Sequence, residues 1–243
     1  MRFARTVALL GVALCWCVPA KPVIVTEKKV GDRTIMCMHT GLMSELKDCG
    51  VHTGWYTYVF VGAISLITPL ENDEKVIQII PEEVFAGEPA TPLTVQTSQG
   101  ACLPDLVAGD QWLFYLRQEE GKPIFLDYYG NDSLPVANAQ EQIEILRRLK
   151  TMGDHGIVRG HVLRGEFFDG TAVPNSRIVA RRKSDKKEFV TRTDRDGHYE
   201  FDPLPPGEYK LTVDRIGTFK PDSTDLELTG GACWDLTISQ KDQ

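Results

Sequence analysis

The run Thr193-Asp194-Arg195-Asp196-Gly197-His198-Tyr199-Glu200-Phe201, followed closely by Leu204-Pro205-Pro206-Gly207-Glu208-Tyr209, decides how the second half of the chain is read. Asp194 to Gly197 has the chemistry of a tight hairpin turn, with Gly197 available for a positive φ. His198 to Phe201 then alternates with the period of two of a half-buried strand. Leu204 to Gly207 turns the chain again. Beyond it Tyr209, Leu211 and Val213 share one face.

The same texture extends in both directions. Ile157 to Leu163, Arg177 to Arg182 and Glu188 to Thr193 read as strands, with Ser184-Asp185-Lys186-Lys187 as a turn. Cys233 to Ile238 reads as a closing strand with Cys233, Asp235 and Thr237 on one side and Trp234, Leu236 and Ile238 on the other. Short strands with turns at this spacing predict a β-sandwich.

Upstream, the spacing predicts one helix. Asn138 is placed to cap it, with Glu141 three residues on. Ala139, Ile143, Leu146 and Leu149 form its apolar stripe, and Arg147, Arg148 and Lys150 lie near its C-terminus, where positive charge suits the helix dipole. Thr151 to Gly156 ends it and reads as an interdomain junction. Before the helix, Tyr56 to Ile67 is an aromatic and β-branched strand, with Gly62 marking a bulge or bend. Val76 to Ile80 and Leu93 to Thr97 are further strands, separated by a break at Phe85 to Pro89. Trp112 to Leu116 and Pro123 to Tyr128 are expected to pair as a hairpin around Glu119 to Lys122. Residues 21–55 read as irregular.

The first twenty residues are of different material. Arg2 and Arg5 precede an apolar run from Val7 to Val18, and Val18-Pro19-Ala20 provides a cleavage site. This is the pattern of a secretory signal peptide over residues 1–20. The run falls short of the roughly 20 residues a membrane span needs, so no transmembrane anchor is expected after cleavage. Removing the two arginines takes the formal charge from −7 to −9. An acidic chain repels nucleic acid over most of its surface, which argues against nucleic-acid partners.

Of the 6 cysteines, Cys15 and Cys17 leave with the leader, and Cys37, Cys49, Cys102 and Cys233 remain. In an exported chain these are expected to be structural disulfides. Their spacing alone does not choose among the three connectivities. No close C-x-x-C pair suggests zinc. His39, His52, His155, His161 and His198 are scattered and lack H-E-x-x-H spacing, and no G-x-S-x-G or phosphate loop appears. No metal, cofactor or catalytic residue is therefore expected. Asp194-x-Asp196-Gly197 lacks the remaining acidic ligands of a calcium loop.

Gly160-His161-Val162, Gly170-Thr171-Ala172-Val173-Pro174, the Thr193 to Phe201 run and Leu204 to Tyr209 resemble the motifs of the carboxypeptidase regulatory-like, transthyretin-like β-sandwich. That resemblance covers residues 157–240 of a domain expected over 156–243, and implies a spacer, an adhesion module or a carbohydrate-binding-like module. Within a first domain expected over 21–152, residues 35–150 resemble the netrin-module or tissue-inhibitor-of-metalloproteinase OB fold. The resemblance rests on Cys37 to Cys49, Tyr58 to Gly62, Glu83 to Gly87, Cys102, Val107 to Leu116 and the Leu146-Arg147-Arg148-Leu149 helix. It implies an OB-like β-barrel closed by a helix, and a Cys37–Cys102 disulfide that leaves Cys49 and Cys233 unassigned. The chain departs from the inhibitors in the residues ahead of Cys37 and in lacking a paired C-x-C.

The whole chain is thus expected to be mainly β, an OB-like barrel with a C-terminal helix and then a β-sandwich. It reads as a non-catalytic, secreted or periplasmic binding protein whose partner is a protein or a surface glycan. A metallopeptidase inhibitor, or the accessory subunit of a separate hydrolase, is the alternative. Candidate contact residues are the aromatics Trp55, Tyr58 and Trp112 and the cations Arg181, Arg182 and Lys183 of the one basic run.

Overall fold

The computed structural model describes residues 25–30, 33–38, 49, 56–71, 74–97, 106–126, 133–165, 170–214 and 223–240. The expected leader, Trp55, Cys102 and the side chain of Cys37 lie outside them. No helix among the described residues is long and apolar enough to cross a membrane.

The chain is mainly β, with one α-helix among the described residues. Strands β1 (Val25–Val30) and β2 (Arg33–Met38) form an antiparallel pair, which corrects the irregular reading for that part of 21–55; Cys49 aside, residues 39–55 lie outside the described residues. A six-stranded sheet follows, built from β3 (Tyr58–Pro69), β4 (Lys75–Ala86), β5 (Leu93–Thr97), β6 (Gln111–Leu116), β7 (Phe125–Leu126) and β8 (Leu134–Pro135). Its order is β7-β5-β4-β3-β6-β8. The sheet curls as a half-barrel, and among the described residues its edge strands do not pair to close it. The netrin-type barrel is therefore not established.

The ladder of β3 with β4 slips at Val59/Phe60, at Val61/Gly62, where the sequence placed a bend, and between Ile64 and Leu66. Strand β4 runs on through Pro81 instead of ending at Ile80. Pro81 pairs with Gly62 at the bulge and lies beyond the β4–β5 ladder, which ends at Ile79, so its missing N–H breaks no β4–β5 bond. The expected 112–128 hairpin is corrected too. Strand β7 pairs in parallel with β5, and a single Arg117–Phe125 bridge is its link to the end of β6.

Each face of this sheet carries an apolar cluster. Phe60, Ile64, Trp112, Phe114 and Leu116 point into the curl with Ile77, Ile79 and Val95. Val59, Val61, Leu113 and Tyr115 alternate to the other face, against helix α1 (Gln140–Thr151). The helix buries Ile143, Ile145, Leu146 and Leu149 there. Asn138 does not cap it. Asn138 lies in a 3-10 turn over Val136–Asn138, and Ala139 takes the cap position with no side-chain bond.

After α1 come β9 (Gly156–Arg164), β10 (Thr171–Ala172), β11 (Arg177–Arg182), β12 (Glu188–Arg192), β13 (His198–Leu204), β14 (Gly207–Val213), β15 (Ser223–Leu228), β16 (Cys233–Asp235) and β17 (Ile238–Gln240). They form two sheets. In the first, β9 is central, with β13 and β10 on one edge and parallel β16 and β17 on the other. The second has the order β12-β11-β14-β15. Between them lies a core that includes Val158, Ile178, Tyr199, Phe201, Leu211 and Ile238. The expected β-sandwich is present.

The motifs have physical reasons. Gly160 sits against the break between β16 and β17, where Leu236 N–H donates to the Arg159 carbonyl, and a Cβ on Gly160 would lie 2.0 Å from the Leu236 oxygen. The Asp194 turn is not a hairpin, because it carries the chain from β12 in one sheet to β13 in the other. Asp194 Oδ1 accepts from the Asp196 and His198 N–H groups at 2.9 Å each, and Gly197 takes φ +75°. Tyr209 is buried, and its hydroxyl donates to the Pro205 carbonyl at 2.7 Å, a tyrosine corner that ties down the Leu204–Gly207 turn.

Cys49 and Cys233 form a disulfide with a Cα–Cα distance of 5.7 Å, and both are buried in the apolar cluster beneath α1. They are the two cysteines that the family resemblance left without a partner. Two outcomes are expected in denaturant unfolding. The Gly160→Ala variant should lose at least about 1–3 kcal/mol, because a Cβ collides with backbone that cannot yield. Replacing Cys49 and Cys233 together by Ala should cost about 2–4 kcal/mol, since the link closes a long loop of the unfolded chain. A variant as stable as the parent would show that the corresponding feature constrains nothing.

Candidate binding surfaces

Among the described residues, the candidate aromatics do not form an outer platform. Trp112 is 3% exposed and stacks on Phe114 inside the curl, with its Nε1 buried and unpartnered. Tyr115 is buried under the helix, 5.3 Å from the Tyr56 ring. Tyr58 is half-buried and its hydroxyl donates to Gln118 Oε1 at 2.6 Å. This corrects the expectation for Trp112: alternation along β6 turns its ring into the core.

The basic run is largely neutralised from within. Arg182 forks onto Asp185 at 2.5 Å, and Asp185 is held well below the usual carboxylate range, first by that bond and then by the Lys187 N–H. Lys183 lies 3.5 Å from Glu208 and 3.4 Å from Asp225, and Arg181 lies 4.0 Å from Glu188. Such exposed pairs add little stability. They do lower the positive field that an anionic polymer would need.

Two other assemblies were not legible in the sequence. The first joins the helix to both of its neighbours. Arg147 forks onto Glu83, and Lys150 donates to the Val84 carbonyl, so α1 is tied to β4. The Arg147 hydrogen bond is the main cause that lowers the Glu83 pKa. Arg148 points the other way, to Glu200 at 2.6 Å and to Asp202, both on β13. Arg159 on β9 lies 2.9 Å from Glu141 at the start of α1 and 3.3 Å from Asp235. Ile157 and Cys233 of the sandwich share the apolar cluster with the helix. The tandem Arg147-Arg148 was a signal only of dipole complement, because the partner carboxylates come from strands far along the chain.

The second assembly corrects the view that the histidines are scattered. His161 and His198 are direct partners across the β9–β13 ladder. Burial, and then the neighbouring His198, lower the pKa of His161. Among the described residues no group of three or more His, Cys, Asp or Glu side chains stands ready to hold a metal.

An apolar stretch of the six-stranded sheet is left open beyond the helix N-terminus. Ile80 pairs with Ala63, and Leu66 pairs with Gln78 after the slip at Ile64, so these residues share the face on which α1 packs. Leu66 is 48%, Ile80 37% and nearby Val107 56% exposed. Beside them a groove of about 440 Å³ is walled by Asp110, Gln111, Trp112, Pro135, Val136, Ala137 and Gln140.

Residues 157–239 match the family model of the carboxypeptidase regulatory-like domain. No curated protein matches the chain. Among solved structures, chlorocatechol 1,2-dioxygenase from Pseudomonas putida is similar at 14% identity and TM-score 0.29, over 37% of this chain and 61% of that one. The Bacillus anthracis TIE protein is similar at 13% and 0.30, over 79% and 32%. The group B streptococcus pilus 2b backbone protein is similar at 11% and 0.28, over 81% and 90%. The match spans 53–61% of the length of the catechol-type dioxygenases. At these scores none of the three bears on function.

The helix clamp makes a test of unequal arginines. Arg148→Ala should destabilise by about 1–2 kcal/mol after allowance for solvent screening, because it leaves Glu200 and Asp202 facing each other half-buried. Arg147→Ala, at an exposed pair, should show no measurable loss. Equal midpoints in urea for the two variants would refute the assignment of Arg148 to the junction.

Proposed function

We propose that the chain is a non-catalytic interaction protein of the cell envelope or extracellular space, with the curled sheet as its contact module and the sandwich as its support. The observation that carries this is the open apolar end of the sheet, Leu66, Ile80 and Val107, beside the groove at Asp110 and Val136. Exposed apolar side chains gathered around a groove with a polar rim are the mark of a contact surface. The burial of Trp112 favours a protein partner over a glycan, since a sugar platform needs an open aromatic face. The Cys49–Cys233 disulfide suits an oxidising compartment. The regulatory-like match at 157–239 suits a supporting role for the sandwich.

Crosslinking and pull-down from the native envelope tests this reading. The parent should retain a specific protein that Leu66→Asp and Ile80→Asp each reduce at least tenfold, with unchanged melting temperature. Equal capture by parent and variants, or micromolar inhibition of a metallopeptidase by the parent, would overturn it. The mature protein should begin at Lys21 by amino-terminal sequencing. An intact Met1 in the assembled protein would remove the exported compartment.

A further inference from the structure

The histidine pair has a geometry that its packing does not require. The His161 and His198 rings stand on the same face of adjacent strands, with centroids 5.3 Å apart and planes at 62°. His198 is partly exposed, and the helix clamp uses neither ring. Asp194 stands beside them. Its Oδ1 is held by two turn N–H groups, and its Oδ2 lies 3.9 Å from His198 Nδ1. Asp235, also close enough to act on His161, is engaged by Arg159.

Magnitudes discriminate between ions. A zinc–nitrogen bond of about 2.1 Å puts an imidazole centroid roughly 3.2 Å from the metal, so two rings on a tetrahedral ion have centroids about 5.2 Å apart. Two rings at the right angle of a square-planar ion would be about 4.5 Å apart. The observed 5.3 Å fits the tetrahedral case better than the square-planar one, and equally fits edge-to-face ring packing.

We propose that His161 and His198, with the free oxygen of Asp194 beside them, form an open-sided site for a zinc-class divalent cation on the outer face of the first sandwich sheet. The imidazoles are the two protein ligands and water completes the shell. Asp194 accepts a hydrogen bond from that water. With two of four ligands from the protein, affinity should be modest, roughly 1–100 µM.

Calorimetric titration of the full chain with zinc chloride tests the site. One zinc per chain is expected, with binding at least tenfold weaker in His161→Ala and in His198→Ala. Asp194→Asn should weaken it two- to fivefold, and His155→Ala should leave it unchanged. Because His161 is partly covered, a second readout is independent of substitution. Imidazole nitrogen resonances of His161 and His198 in the unmodified protein should shift together on zinc addition. No zinc binding below 1 mM, undiminished binding in His198→Ala, or shifts confined to other histidines would each overturn the proposal and leave the pair as edge-to-face packing.

Discussion

The structure depends on one apolar cluster, in which Ile143, Leu146 and Leu149 of the helix meet Val59, Val61, Leu113 and Tyr115 of the curled sheet and Ile157 and Cys233 of the sandwich. The Cys49–Cys233 bond lies inside it. Each buried Ile, Leu or Val there is worth about 1.5–3 kcal/mol against exposure. The half-buried pairs around Arg148 and Arg159 are each worth about 1 kcal/mol or less after screening. Apolar contact therefore holds the helix between its neighbours, and the charges set its orientation. Arg147 and Arg148, adjacent in sequence, point to opposite neighbours, so a slip of the helix by one residue would strand both cations.

That cluster explains why the sandwich was legible and the junction was not. Turns and alternating strands are local signals, and Tyr209, Leu211 and Val213 fall on the buried face as their spacing requires. Gly160 and Gly197 are visible in sequence as motif glycines. Their reasons, the Leu236 carbonyl against one and a sheet-to-sheet crossing at the other, need the tertiary structure. The hairpin expected at residues 112–128 failed because a polar turn says only that the chain reverses. Which strand receives the returning segment is set by long-range packing, and here it is β5. Strand β4 outruns its expected end at Ile80 because Pro81 lies past the β4–β5 ladder, where its missing N–H breaks no β4–β5 bond, and the strand stops at Ala86, within the break expected at Phe85 to Pro89.

The candidate surfaces divide in the same way. Aromatic and basic residues stand out by composition, yet Trp112 is carried into the core by the period of its strand, and Arg182 and Lys183 meet carboxylates that the turns bring to them. Leu66 and Ile80 are ordinary strand residues in sequence. They become surface only because α1 begins too far along the sheet to cover them, a boundary set by the 3-10 turn at Val136–Asn138.

Along β13, His198, Glu200 and Asp202 alternate with the buried Tyr199 and Phe201, and along β9 Arg159 and His161 alternate with Val158 and Val162. The period of two forces the polar members of both strands onto the outer face of the first sheet. The helix covers one end of that polar face and satisfies it with Arg148 and Glu141. The other end has no covering element among the described strands and helix, and His161 and His198 meet there, beside a turn whose carboxylate is already oriented. A single alternation thus builds the sandwich core on one side. On the other side it lays down, in sequence, a polar junction and a pair of donors.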